Sequence, residues 1–229
     1  PTLSATGGAS GNPVIFGSMT MSVCTVSGNT VTLLTSGTCT VTANQAGNDN
    51  FNPAPQVTTD ISVDKANQTI SGLAADPVSG VVDGSSSLSA TASSGLPVTF
   101  GSSTLGVCTV AGSTVSYLTA GTCTVTADQA GDDDYNAAPQ VTLDITVAKA
   151  DQVITDFIAT PANGDVGDMP VLSATGGASG NPVTFGSNTL SVCTVSGNTV
   201  TLLTSGTCTV TADQAGNDDY NAADRKSVV

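Results

Sequence analysis

The chain has 229 residues, 3% of them aromatic, with no Trp and no His, so its cores must be built from Val, Leu, Ile and Ala rather than from large rings. Its net charge is −14, all 18 acidic residues are Asp, and Lys plus Arg number only 4. Such a chain repels nucleic-acid phosphates and anionic lipid, and no stretch is apolar for long enough to span a bilayer, so neither nucleic acid nor membrane insertion is expected of this segment.

In chain order, the first feature is a segment bounded by two cysteines, CTVSGNTVTLLTSGTC at Cys24–Cys39. It returns letter for letter at Cys193–Cys208, and a variant, CTVAGSTVSYLTAGTC, lies at Cys108–Cys123. Residues 1–52 align with 170–221 without a gap and differ at seven positions, and the period is 84 residues from Cys24 to Cys108 and 85 from Cys108 to Cys193. That period suits a complete small β domain better than a helical repeat. Strand alternation places Cys39, Val41 and Ala43 on one face and Thr38, Thr40 and Thr42 on the other, with Cys24 beside Val26 and with Val31 and Leu33 inward. Two cysteines per copy, separated by 14 intervening residues in a chain without His, favour structural disulfides over zinc: Cys24 with Cys39, Cys108 with Cys123, Cys193 with Cys208.

The middle copy predicts seven strands, at residues 67–71, 87–91, 97–101, 107–110, 114–118, 122–128 and 140–147, separated by Gly, Ser, Pro and Asp turns. Thr and Val dominate them because β-branched side chains suit a pleated surface. Seven short strands in this length predict an all-β chain of tandem immunoglobulin-like β-sandwiches in an elongated array. The expected divisions are a copy at 1–64 lacking its first strand, a complete copy at 65–148 and a copy at 149–223 lacking its last strand. Residues 224–229, DRKSVV, depart from the repeat, and a nucleotide string encoding them resembles a sequencing-adapter end. They are expected to be a non-native tail that leaves the third copy with an unpaired sheet edge.

The joining segments VDKANQTI (63–70) and VAKADQVI (147–154), with AGTCTVTADQAGDDDYNAAPQVTLDITV (120–147), resemble the bacterial immunoglobulin-like repeats of large surface and secreted, adhesin-type proteins. The resemblance covers all but the last six residues. It implies an extracellular or cell-surface location, and it leaves the role open among stalk, spacer and adhesive unit.

Catalysis is not expected, since there is no His and no Glu, each Cys has a structural partner, and no Ser or Thr has a visible base. No cofactor is expected, with calcium as the one candidate. The loops AGNDNFN (46–52), AGDDDYN (130–136) and AGNDDYN (215–221) concentrate oxygen ligands, and Asp132, Asp133, Asp134, Asp218 and Asp219 are the candidate residues, with NGDVGD (163–168) a second cluster. The alternative is a solvated acidic turn. The loop aromatics Phe51, Tyr135 and Tyr220 are expected to pack against the end of a sandwich rather than to stack a ligand, because Phe replaces Tyr. The Thr rows could form a flat ice- or sugar-binding face, although Thr is also what a strand's solvent side prefers. Outside the tail the only lysines are Lys65 and Lys149, both at joints and without Glu nearby, which argues against an isopeptide cross-link. The expected partners are neighbouring repeats of the same chain and, in an adhesive version, a glycan or surface protein. The overall expectation is a structural stalk or spacer supporting adhesion, against modules that are themselves adhesive or that space an extracellular enzyme.

Overall fold

The computed structural model describes residues 1–228 and contains no helix among them. Two compact units are present. The first comprises Pro1–Ser71, Thr91–Val98 and Asp128–Val141, and the second Gly72–Ala90, Thr99–Ala127 and the chain from Thr142 onward. The first unit thus holds the first copy with one end of the middle copy, and the second holds the rest of the middle copy with the third.

In the first copy, β1 (Val14–Ser18), β4 (Gly37–Gln45) and β5 (Val57–Val63) form one sheet, and β2 (Cys24–Ser27) and β3 (Thr30–Leu33) form another. The β4–β5 ladder is long, running from Gly37 opposite Val63 to Ala43 opposite Val57. Its core is small: Cys24, Val31, Cys39 and Val41, with Leu3, Val26, Ile61 and Val63 packed against it. Leu33, expected inside, is 39% exposed, and the matching position of the middle copy is covered. There the residue is Tyr117, fully buried against Gly80, with its hydroxyl donating to Ser86 Oγ at 2.6 Å.

The middle copy has eight strands rather than seven. They are β6 (Ile70–Asp76), β7 (Gly80–Val81), β8 (Ser85–Ala92), β9 (Thr99–Ser102), β10 (Cys108–Ala111), β11 (Thr114–Tyr117), β12 (Gly121–Asp128) and β13 (Val141–Ala148). They pair as two four-stranded sheets, β10–β11–β8–β6 and β7–β13–β12–β9. The opening strand begins later than expected because residues 67–69 serve side-chain contacts instead of a ladder: Gln68 is buried and Thr69 N donates to Ser93 Oγ. The two-residue β7, too short to leave a periodic signal, pairs parallel with β13. Val82, Leu88, Val115, Val125, Ile145 and Val147 form the core around Tyr117 and the cystine.

In the third copy, β14 (Thr155–Thr160), β15 (Val171–Thr175), β17 (Cys193–Ser196) and β18 (Thr199–Leu202) form one sheet. β16 (Val183–Ser187), β19 (Val210–Gln214) and β20 (Lys226–Val228) form the other. The expected bare edge is therefore corrected in part: three residues of the hexapeptide read as a foreign tail pair with Val210–Ala212. Val229, the last residue of that tail, lies outside the described residues.

Each copy carries one cystine, Cys24–Cys39, Cys108–Cys123 and Cys193–Cys208, with Cα separations of 5.6, 5.6 and 5.7 Å; the first two tie the two sheets of their copy together, and the third ties β17 to the segment before β19. Closing a loop of this length stabilises a domain by about 3 kcal/mol in chain-entropy terms, a large share for cores this small.

Candidate functional site: the repeat joints and their acidic loops

The residues with the most chemistry converge where one copy meets the next. In the middle copy the loop at 130–136 closes on itself. Asp132 Oδ1 accepts from the backbone N–H groups of Asp134 and Tyr135, each at 2.9 Å, and Asp132 N donates to Tyr135 O at 3.1 Å. A Cβ at Gly131 would lie 2.3 Å from Tyr135 O, and this glycine takes φ +78°, so the tight return excludes any other residue. The third copy builds the same turn with Asn217 Oδ1 accepting from Asp219 N and Tyr220 N at 2.8 Å. Asn does the work of Asp there, so the turn needs an acceptor oxygen and not a charge.

The closed loop is held by the segment that enters its own copy. Ala66 N donates to Asp134 O at 2.8 Å and Asn136 N to Ala66 O at 2.9 Å, while Lys65 Nζ donates to Asp132 O at 2.5 Å. At the next joint the same three contacts are Ala150 N to Asp219 O, Asn221 N to Ala150 O and Lys149 Nζ to Asn217 O. Lys65 and Lys149 are thus clamps on a loop carbonyl, a role that charge counting missed. Their recurrence at matching positions was the available signal.

From this platform each loop reaches back to the preceding copy. Asp134 Oδ1 accepts from Ser36 N at 2.7 Å, and Ser36 Oγ donates to Asp133 O. Asp219 Oδ1 accepts from Ala120 N at 2.9 Å. Ser36 and Ala120 occupy the same place, the turn before the second cysteine. The aromatics follow: Tyr135 stands beside Leu33, Leu34 and Thr35 of the first copy, and Tyr220 packs on the middle copy's core. The end they cover belongs to the neighbouring copy rather than their own. Tyr220 also donates its hydroxyl to Asp83 Oδ2 at 2.6 Å, so the hydroxyl has a use at this joint. That bond, with desolvation and the negative charges of Asp83 and Asp219, raises the Tyr220 pKa above its usual 10.0. In the first copy the corresponding Phe51 is 47% exposed.

These geometries give the calcium candidates other employment. Asp132 caps its turn, Asp134 and Asp219 accept the preceding copy's amides, and Asp133 and Asp218 are exposed. Among the described residues no group of three acidic, His or Cys side chains converges to hold a metal ion. Asp165 and Asp168 close a local turn through Asp168 Oδ2 and the Asp165 amide at 2.8 Å. The Thr row is also interrupted: Thr42 is buried beneath Gly17, and Thr40 Oγ1 donates to Asp60 Oδ1 at 2.6 Å. It is not a flat, open face.

A set of buried glutamines was not anticipated. Gln45 and Gln214 close β4 and β19 and Gln129 follows β12, and each is buried and satisfied inside. Gln45 accepts from Gly8 N and donates to Asn12 O, both at 2.6 Å, and Gln214 repeats this with Gly177 N and Asn181 O at 2.6 and 2.7 Å.

No protein-family model matches the sequence, and no curated protein sequence matches it. Among solved structures, the chain is similar to surface layer protein SbsC, domains 1–6, at 17% identity and a TM-score of 0.27, over 98% of this chain and 33% of that one. It is also similar to the C-terminal 282-residue fragment of intimin, solved with the intimin-binding domain of the translocated intimin receptor. That match has 18% identity and a TM-score of 0.28, over 70% of this chain and 64% of the fragment. Mouse protocadherin-24 EC1–3 matches at 14% identity with a TM-score of 0.28, over 99% and 90%. The chain spans a third of the surface-layer fragment and less than two thirds of the intimin fragment.

Proposed function

We propose that the chain is a set of tandem immunoglobulin-like repeats from an extracellular or cell-surface protein, and that it works as a stalk or spacer without catalysis or a cofactor. The observation that carries this reading is the recurrence of one contact at two joints: a loop aspartate of one copy accepting a turn amide of the copy before it, Asp134 from Ser36 and Asp219 from Ala120. The loops best endowed to bind something else are thereby engaged with the neighbouring repeat. Three cystines support an oxidising compartment. No helix among the described residues is long and apolar enough to cross a membrane.

The test is a binding screen of the purified chain on immobilised glycans and on cells, beside a version with residues 132–135 and 217–220 replaced by Gly-Ser. The spacer reading expects no binding that the replacement removes. Retention that disappears with the loops would replace it with the adhesive reading.

A further inference from the structure

The three acidic loops close in the same way but do not present the same side chains. In the first copy Asn48 Oδ1 accepts from Asn50 N and Phe51 N at 2.9 and 3.0 Å, the turn that Asp132 and Asn217 build in the other two. The pair held out by that turn is Asn50–Phe51 in the first copy, Asp134–Tyr135 in the middle copy and Asp219–Tyr220 in the third. The seven differences between residues 1–52 and 170–221 include both members of this pair. Phe and Tyr differ by one hydroxyl, so a surface that bonds the hydroxyl distinguishes one kind of copy from the other.

The receiving surface also differs between copies. In the middle copy the turn at residues 80–84 lies against Tyr117, with Asp83 N donating to Tyr117 O at 3.1 Å and Tyr117 N to Gly84 O at 3.0 Å. The third copy repeats this turn: Gly167 N donates to Leu202 O at 2.9 Å and Leu202 N to Asp168 O at 3.1 Å. Asp83 thus stands where the third copy has Gly167, and both take a left-handed backbone, with φ of +67° and +98°. Such a position favours glycine, and a side chain there is held against backbone strain. Asp83 also places a second negative charge beside Tyr220, where Asp219 already stands. Among the described residues its carboxylate has one hydrogen-bond partner, the Tyr220 hydroxyl at 2.6 Å, 137 residues along the chain. An aspartate at a glycine position, bonded only across the joint, serves the joint and not its own turn.

We propose that Asp83 selects the kind of copy that follows it. The end of the middle copy fits a repeat whose acidic loop carries Tyr, as at Tyr220, over one whose loop carries Phe, as at Phe51. A turn with Gly in this place, as at Gly167, has no acceptor and does not discriminate. Closely similar repeats are thereby given an order. The inference rests on the tandem-repeat reading above and is indifferent to whether the array is a spacer or is itself adhesive.

The experiment is hydrogen exchange of the Ala120 amide in the whole chain, followed by NMR. That amide donates to Asp219 Oδ1, so its exchange reports opening of the joint. Tyr220→Phe, which gives the third copy the first copy's aromatic, is expected to speed the exchange about fivefold, and Asp83→Gly by the same factor. The double substitution should add nothing further, because both remove one bond. Asp83→Asn keeps an acceptor oxygen and tolerates the left-handed backbone, and should retain slow exchange. A second measurement separates the joint from the turn: in the Tyr220→Phe chain, Asp83→Gly should leave the unfolding midpoint unchanged or raise it, since only the strain remains to be relieved. Exchange indifferent to Tyr220→Phe, additive effects in the double variant, or a lowered midpoint in that second measurement would each overturn the proposal. An Ala120 amide that exchanges freely in the unaltered chain would overturn the joint itself, and the tandem reading with it.

Discussion

Cys24–Cys39 and Cys193–Cys208 are the same sixteen letters, yet they do not fold alike. In the first copy β4 starts at Gly37 and runs nine residues, and Cys39 is fully buried. In the third, the strand starts only at Val210, residues 206–209 belong to no strand, and Cys208 is half-buried. The two hairpins before the turn match, with Cys24 opposite Leu33 and Cys193 opposite Leu202. The difference lies in the partner. β5 covers β4 from Gly37 to Ala43, whereas β20 offers only three residues, opposite Val210–Ala212. A strand needs its ladder, and the sequence of the strand alone does not supply one.

The largest expected effect comes from restoring that partner. Replacing Asp224–Val229 with the middle copy's PQVTLDITV supplies counterparts of Ile145 and Val147, which are 1% and 3% exposed in their own core. Burying two such side chains contributes about 3 kcal/mol or more. Hydrogen exchange should then show a newly protected amide at Cys208, the counterpart of Cys39 opposite Ile61, together with a higher unfolding midpoint, while Thr209 N is already held by Thr189 Oγ1. Unchanged exchange at the Cys208 amide would mean that the short strand has another cause.

Removing a cystine comes next. The double substitution Cys24→Ala with Cys39→Ala should cost about 3 kcal/mol in denaturant unfolding of the first copy. Under limiting reductant, Cys193–Cys208 should open before Cys24–Cys39, because a half-buried sulfur is reached without unfolding the sheet. Alkylation followed by mass spectrometry gives the order, and the reverse order would contradict this account.

A smaller effect belongs to the joints. Asp219→Ala removes the acceptor for Ala120 N and should cost about 1 kcal/mol at a half-exposed site. Tyr220 adds a pH dependence. Its folded pKa lies above the usual 10.0, so the stabilisation from its neutral hydroxyl is present below pH 10 and is lost as pH rises through the folded value. Tyr220→Phe should flatten that alkaline loss, read as the unfolding midpoint against pH. The smallest expected effect is that of calcium: thermal midpoints in calcium and in chelator should coincide, and a rise with calcium would require the acidic loops to rearrange.

Much of the architecture was legible because its signals are local. The cysteine spacing, the Gly and Asp turns and the β-branched runs marked β8 to β13 to within a few residues. The β6 boundary was misplaced because Gln68 looks like any polar strand residue until Gln129 and Asn136 are brought against it. The acidic loops were legible as clusters and illegible in use, because their partners lie 97 to 99 residues away. Tyr220 and Asp83 are 137 residues apart, beyond any motif.

By itself the sequence determined the repetition, the all-β character and the face on which each first cysteine lies, since these follow from composition and a two-residue period. Only the tertiary structure decided which identical segments become full strands and which aspartates join two copies. Each of those depends on a partner distant in the chain, and a strand edge or a carboxylate has no fixed fate until that partner is placed.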